Sequence, residues 1–476
     1  MVKKASIVLV AVLLTAIPLA AQTGWINTYG EAMWDWGRWV EQTADGGYVL
    51  TGQITTHGEP GPFEWVYLIK TDPEGDTLWT RAWGGKDVFS RLGNQGYCIQ
   101  CTSDGGYVIV GLATMGLYVW LIKTDEDGDT LWTRIYESGK DAHCIRQTPD
   151  GGYVITGVGG SGSGDLWLLK TDEHGDSLWA RLYGEQDGQK GYSVQVTTDG
   201  GCIITGYTGY ERGMWLLKTD ENGDTLWTRV YKIRGENTDR GHCVQLTKDG
   251  GYVICGAADP HPFGESGYLF LLKTDSLGDS LWAKVYGGSD YDEGRFVCQT
   301  PDAGYIITGV KGLNPFGTTG YLWLLKTDSL GDTLWTRLYG ENENDAGECV
   351  QLTADGGYII TGYTKSYGTD GSRDIWLIKT DSLDNVAVAE EPHVTPVTQS
   401  DWQIPVSVGR RIVLQYTDRP QGFHAQVFDA SGRKVDEVHA TESSGMIAWG
   451  RCYGPGVYFI VPTDGEVKAQ KVILIK

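Results

Sequence analysis

Seven side chains of mixed chemistry recur along the chain at intervals of 46 to 59 residues: Arg38, Tyr97, His143, Tyr192, His242, Arg295 and Glu348. Two guanidiniums, two imidazoles, two phenols and a carboxylate, if gathered together, could donate and accept hydrogen bonds all round a polar ligand. Elsewhere in the surrounding stretch the copies are monotonous, so the variation is concentrated in this register. The alternative is a rim of residues that simply meet water. Three residues earlier stand Asp35, Asn94, Gln189, Asp239, Asp292 and Asp345. An acidic collar there could bind a cation or sugar hydroxyls, or its Asp residues could bond backbone amides in the loop entering each strand.

Other patterns promise less. Asp125-Glu126-Asp127-Gly128-Asp129 has the acids of a calcium loop, but Thr130 and Tyr136 stand where an EF-hand would place Gly and Glu. Six sister turns hold fewer acids, so this one reads as a hairpin turn and no metal site is expected. Cys98, Cys144, Cys243 and Cys349 share one repeat position with Ser193, Phe296 and Trp39, which marks a packing position. Cys98 and Cys101 have CxxC spacing, but in a strand their thiols face opposite ways. Nine cysteines, an odd number, make no evident disulfide framework. No nucleophile elbow, phosphate loop or HExxH pair is present. The spacing of carboxylates on different loops cannot be read from sequence, so a catalytic pair stays open. No cofactor is expected.

The elements that must position the seven residues come from a repeat. Lys-Thr-Asp begins at Lys70, Lys123, Lys170, Lys218, Lys273, Lys326 and Lys379, and a Leu-Trp pair follows the first six, ending at Trp79, Trp132, Trp179, Trp227, Trp282 and Trp335. The seventh copy lacks its tryptophan. Gly24-Trp25-Ile26-Asn27-Thr28-Tyr29-Gly30, at the opposite end, matches Leu334-Trp335-Thr336-Arg337-Leu338-Tyr339-Gly340 and supplies the missing piece. Asp-Gly-Gly hairpin signals begin at Asp45, Asp104, Asp150, Asp199, Asp249 and Asp355, with Asp302-Ala303-Gly304 as the seventh. Four short extended runs per unit, at these intervals, predict an all-β chain: a seven-bladed β-propeller over 22–385, closed by the strand of Trp25. Each repeated indole would bury a flat area against a neighbour, worth roughly 4–6 kcal/mol as an upper bound at ~25 cal/mol/Å².

Both nearly invariant turns follow odd-numbered strands and lie on one face of the disc, which is scaffold. The other face receives the variable loops, among them 55–64, 259–263 and 314–316, and would carry any binding. The seven-residue register lies at the channel mouth on that side.

Composition bounds the partners. Net charge is −22, or −24 once Lys3 and Lys4 leave with a leader, which argues against nucleic acid and against docking on anionic lipid, while plain solubility accounts for most of the acidity. Residues 1–21 have the two lysines, apolar run and small terminal residues of a secretory signal peptide, so export is expected, with no membrane span in the mature chain. The repeat stops after Asn385, 386–401 reads as a linker, and 402–476 has strand-like runs that predict a small β-sandwich.

The phrase Lys-Thr-Asp-x-x-Gly-Asp-x-Leu-Trp resembles the tryptophan-docking repeat of quinoprotein-type propellers, sharing its Asp, Gly and Trp. It departs from them in a turn one residue shorter, in Lys for a small residue, and in seven copies rather than eight. The whole repeat region is similar to secreted bacterial proteins built of Asp-Gly-Gly-Tyr and Lys-Thr-Asp propeller repeats. The tail resembles the C-terminal sorting domain of the type IX (Por) secretion system. That likeness rests on Val427-Phe428-Asp429-Ala430-Ser431-Gly432-Arg433-Lys434-Val435, Gly454-Pro455-Gly456-Val457-Tyr458-Phe459 and the closing Lys471-Val472-Ile473-Leu474-Ile475-Lys476. The resemblance implies a type IX translocon as partner of 402–476 and a protein that is secreted or held on the outer-membrane exterior. The expectation is then a monomeric propeller that binds an extracellular glycan, peptide or protein without catalysis. A polysaccharide hydrolase or lyase and a purely structural envelope component are the alternatives.

Overall fold

The structure, a computed structural model, describes residues 24–381 apart from 31–32, 58–61, 85–92, 114–117, 161–163, 185–187, 210–212, 235–238, 259–266, 289, 315–316 and 342. It also describes 402–474 apart from 407, 410–411, 417–422, 430–432, 442–443, 451–452 and 464–469. The expected leader (1–21) and linker (386–401) lie outside the described residues, as do the loop tips 58–61, 259–263 and 315–316.

The described chain is all-β, with seven four-stranded antiparallel sheets in the first part and one short 3₁₀ turn at Thr369–Gly371. The first sheet runs Trp36–Gln42, Tyr48–Thr56, Phe63–Thr71 and Thr77–Gly84, and the next five repeat that order. The seventh takes Asp345–Leu352, Tyr358–Thr364 and Asp374–Lys379, and Trp25–Tyr29 fills its fourth place. Trp25 pairs with Lys379 and Thr28 with Trp376. The two ends of the repeat region therefore complete one sheet, which removes an open edge.

Neighbouring sheets touch in chain order. Cys98 Sγ lies 3.8 Å from the Ile145 carbonyl, Cys144 Sγ 3.7 Å from that of Val194, and Cys243 Sγ 3.9 Å from that of Val297. The Val244 amide donates to Ser193 Oγ at 3.3 Å, and Cys298 Sγ lies 3.3 Å from the Val350 carbonyl. Cys349 Sγ, 3.8 Å from the Val40 carbonyl, brings the circuit back to the first sheet, and the Cys101 amide joins the second sheet to Glu41 at 2.8 Å. This is a β-propeller arrangement with the first strand of each sheet innermost. Second strands such as Tyr107–Ala113 are buried throughout, because both faces meet other sheets. Fourth strands such as Thr130–Tyr136 are the outermost and are largely exposed. The eight described cysteines are free, and all but Cys101 are fully buried, in keeping with a packing role.

The repeated tryptophans do not sink into the core as deeply as a full-burial estimate assumes. Trp79, Trp132, Trp179, Trp227 and Trp282 are only partly buried, so the upper-bound energy above overstates them. Each lies over the glycine of the next sheet's Asp-x-x-Gly-Asp turn: a Cβ on Gly128, Gly175, Gly223, Gly278 or Gly331 would stand 2.6–2.8 Å from the ring. Trp25 meets Gly75 in the same way.

Residues 402–474 form a three-stranded sheet (Trp402–Val406, Ile412–Tyr416, Gly445–Trp449) and a five-stranded one (Val408–Gly409, Gln470–Leu474, Gly456–Pro462, Phe423–Asp429, Lys434–Ala440). Ile412, Leu414, Phe423, Val427, Ile460 and Val472 make an apolar cluster of their own. Among the described residues no helix is long and apolar enough to cross a membrane.

Candidate functional site

Each innermost strand carries a β-bulge at one repeated place. In the first sheet Gly37 faces Gly52 and Trp39 faces Thr51, so Arg38 is an extra residue without a partner across the ladder. The same shift falls on Tyr97, His143, Tyr192, His242, Arg295 and Glu348. A bulge re-aims the extra side chain, here toward the common axis of the sheets. The seven do come together. Arg38 lies 5.3 Å over the Tyr97 ring, Tyr97 is 5.5 Å from His143, His143 is 5.0 Å from Tyr192, and Tyr192 is 5.5 Å from His242. His242 Nδ1 is 3.1 Å from the carbonyl of Gly294, the neighbour of Arg295. Arg295 donates to Glu348, and Arg38 pairs with Glu348 at 3.5 Å. The contacts form a closed ring.

The ring has two characters. On the ionic arc Glu348 accepts from Arg295 and from the Trp36 indole at 2.7 Å, while Glu293 accepts from Arg295 at 2.6 Å and from the Tyr291 hydroxyl at 2.7 Å. Burial alone would raise the Glu293 carboxyl, but the Arg295 guanidinium and the Tyr291 hydrogen bond bring it down to about 2. Burial likewise opposes the Arg295 charge, which Glu348 and Glu293 hold in place. The aromatic arc is neutral around its phenols. Burial pushes the Tyr97 phenol up to about 12 and raises that of Tyr192. Burial, with Arg240 and Arg295 nearby, lowers the His242 pKa. A carbonyl only accepts, so neutral His242 carries its proton on Nδ1 and keeps Nε2 as an acceptor. His143 Nε2 sits 3.3 Å from Asp141; burial would raise that carboxyl, but His143 and Lys190 lower it.

Directly below, the axis is filled. Trp39 from the first sheet and Phe296 from the sixth meet edge to face at 4.8 Å, and Arg146 from the third lies 4.7 Å over the Trp39 ring. The seven side chains thus stand above the Trp39 and Phe296 rings and the Arg146 guanidinium.

Two residues before the ring, on the same side of each strand, lie Trp36, Asp141, Arg240 and Glu293, which the sequence reading did not select. Period-two alternation was the signal that could have found them. The collar three residues before the ring bonds backbone instead. Asp35 accepts from the Thr55 amide at 2.8 Å, and Asp239 from that of Ile233 at 2.6 Å. Asp292 takes the Gly288 and Gly312 amides, both at 2.8 Å, and Asp345 those of Lys365 and Ser366 at 3.0 and 3.1 Å. Asn94 Nδ2 instead donates to the Glu64 carbonyl at 3.0 Å, and at Gln189 the backbone N–H donates to the Gly164 carbonyl at 3.2 Å. The Asp125 turn is a hairpin whose carboxylate caps the Asp127 and Asp129 amides at 3.1 and 2.8 Å. Among the described residues no His, Cys, Asp and Glu group has the arrangement of a metal site.

No family model matches the sequence, and no match was found among curated proteins. Solved structures similar in architecture include the Pan2 WD40 domain of Neurospora crassa, at 10% identity over 75% of this chain and 98% of that one, with a TM-score of 0.45. PorZ of Porphyromonas gingivalis, described as a surface component of the type IX secretion system, gives 9% identity, 91% and 69% coverage and a TM-score of 0.42. A Bacteroides caccae protein of unknown function gives 13% identity, 61% and 94% coverage and a TM-score of 0.38.

Proposed function

We propose that the chain is an exported, seven-bladed β-propeller that binds a polar extracellular ligand at the mouth of its central axis, on the face of the variable loops. The observation that carries this reading is the closed ring of Arg38, Tyr97, His143, Tyr192, His242, Arg295 and Glu348. Seven equivalent backbone bulges serve no fold requirement for Arg, His, Tyr or Glu in particular, yet all seven side chains are spent on one place. The filling of the axis by Trp39, Phe296 and Arg146 favours a seated ligand over a water-lined passage. Catalysis gains less support: both ring-tier glutamates are engaged by Arg295, and Glu293 is held far below the range of a general acid. The strands of 402–476 form, on this reading, a β-sandwich read by a type IX translocon, which leaves the propeller at the cell surface or free outside. The test is a glycan and peptide array probed with the parent chain and with His143→Ala and His242→Ala. Loss of the same ligands in both variants is expected, and unchanged ligands would remove the channel mouth from consideration.

A further inference from the structure

The loop between the second and third strands of the seventh sheet is held unusually firmly. Asp345 accepts from Thr364 Oγ1 and from the Lys365 and Ser366 amides at its start, and Asp374 accepts from the Thr369 amide and hydroxyl at 2.9 and 2.8 Å near its end. What the loop presents is Arg373. Its guanidinium lies 4.7 Å over Tyr363, 5.4 Å over Trp34 and 5.6 Å over Trp36. Trp36 in turn bonds Glu348 and lies 3.8 Å beneath Arg38, so this stack continues the ring outward.

The charges at the mouth are unevenly matched. Glu348, Glu293 and Asp141 each already face a cation or a histidine. Arg38 and Arg295 each have a glutamate. Arg373 has only the three rings: among the described residues no carboxylate lies within 4 Å of it and it donates no side-chain hydrogen bond. Arg240 is similar, 5.6 Å over Tyr207 with a buried Nε that has no partner. A guanidinium whose neighbours are aromatic rings finds no hydrogen-bond acceptor among them for its N–H groups, and its fork matches a carboxylate in two parallel hydrogen bonds. Beside Arg373, Trp34 is 67% exposed and is the one aromatic among the exposed large hydrophobics of the described chain. A flat apolar face next to an open fork suits a sugar ring that bears a carboxylate.

We infer that the ligand at this mouth is an acidic saccharide of the uronate type, its ring lying on Trp34 and its carboxylate received by Arg373. The inference rests on the reading of the mouth as a binding site and adds the chemistry of what binds. Hydroxyls of adjoining sugar units fall to the aromatic arc, where His242 Nε2 accepts, the Tyr192 phenol stays protonated and able to donate, and the Tyr97 oxygen, whose proton goes to Gln95 Oε1 at 2.9 Å, accepts. An extended acidic peptide fits less well, since the innermost strands carry their neighbours' side chains against them and offer no free edge for strand addition.

Three probes separate the terms: an oligogalacturonate, its methyl ester with the charge removed, and a glutamate pentapeptide with the sugar removed. Each is titrated calorimetrically into the full chain and into Arg373→Gln, Arg373→Lys, Trp34→Ala and His143→Ala, with melting curves to check folding. The acidic oligomer is expected to bind at least tenfold more tightly than the ester or the peptide. Arg373→Gln should weaken it roughly 10- to 100-fold, as the loss of a charge-assisted pair does. Arg373→Lys should recover only part of that, because lysine lacks the fork. Ester or peptide binding as tight as the acid, no binding of the acid, or indifference to Arg373→Gln overturns the inference. If array ligands are lost in His143→Ala but kept in Arg373→Gln, the binding-site reading survives alone. If they are kept in both, that reading falls too.

Discussion

Arg295 is the residue on which the mouth's ionic arc depends. It faces Glu293 and Glu348 together, and each carboxylate is largely withdrawn from water, at 9% and 11% side-chain exposure. Removing one partner of a buried charge group costs more than the group is worth, because the survivors stay buried and unpaired, so Arg295→Met should lower stability by about 3–5 kcal/mol at pH 7. The pH dependence follows from signs. In the parent, Glu293 is held at about 2, below its ordinary 4.5, so its contribution is complete above 4.5 and fades as pH falls toward 2. In the variant burial dominates and the Glu293 pKa rises, so protonation relieves the penalty. The gap between parent and variant in chemical denaturation should therefore narrow from pH 7 to pH 4.5; a gap that is constant or widens would mean the arc is solvated. The seven ring residues were legible in the sequence because they vary where everything around them repeats. The bulges were not, since no residue type marks them. Trp34 directly precedes the Asp35 collar position and Arg373 lies in a loop of variable length, and only the fold brings the two together beside the ring.

The repeated phrase is a latch between sheets. Besides the tryptophan over the turn glycine, the arginine two residues on reaches the turn's last Asp, as Arg81 does to Asp129 at 3.0 Å and Arg134 to Asp176 at 3.1 Å. The tyrosine two further donates to the turn glycine carbonyl, Tyr136 to Gly175 at 2.6 Å and Tyr183 to Gly223 at 2.5 Å. A second device lies within each sheet. The lysine of Lys-Thr-Asp, nearly buried, pairs with the aspartate of Asp-Gly-Gly, at 2.7 Å for Lys70 and Asp45 and 2.8 Å for Lys218 and Asp199, and the other five sheets repeat it. Both motifs were visible as repeats, but their partners lie ~20–50 residues away in sequence, so pattern alone could not join them. Two glycines test the latch. Gly250 has φ of 82° and nothing within 4 Å of an added Cβ, so Gly250→Ala should cost only the left-handed backbone penalty of about 1–2 kcal/mol. Gly128 has φ of 78° and the Trp79 ring 2.6 Å from that position, so Gly128→Ala should cost distinctly more. Equal losses in urea denaturation would show that the indole yields freely and latches little.

At the scale of the whole molecule, closure was readable from one absence and one surplus: a seventh phrase without its tryptophan, and a tryptophan strand without its phrase. The tail was read less completely. Its apolar runs at 412–416 and 456–461 were legible, whereas Lys434–Ala440 is a strand broken up by charged residues and Gly445–Trp449 is a five-residue strand with only a short apolar run, Met446 to Trp449. Closure also makes the sharpest claim about stability. Trp25–Tyr29 pairs only with Asp374–Lys379, while Trp25 and Tyr29 both reach the Gly75 turn of the first sheet, Tyr29 by a 2.6 Å hydrogen bond. Deleting 24–30 would therefore strip one strand from the seventh sheet and one latch from the joint that ends the circuit. It would also leave Asp374–Lys379 with unpaired backbone groups on an apolar edge, which invites association between chains. The melting temperature should fall on the order of 5–10 °C, and size-exclusion chromatography should show species larger than those of the parent. A synthetic peptide of residues 24–30 supplied in trans should reverse part of both changes, because it restores the same backbone pairing without the covalent link. A truncated chain that melts and elutes like the parent would mean that the circuit holds without its last strand, and that the other joints carry the stability assigned here to closure.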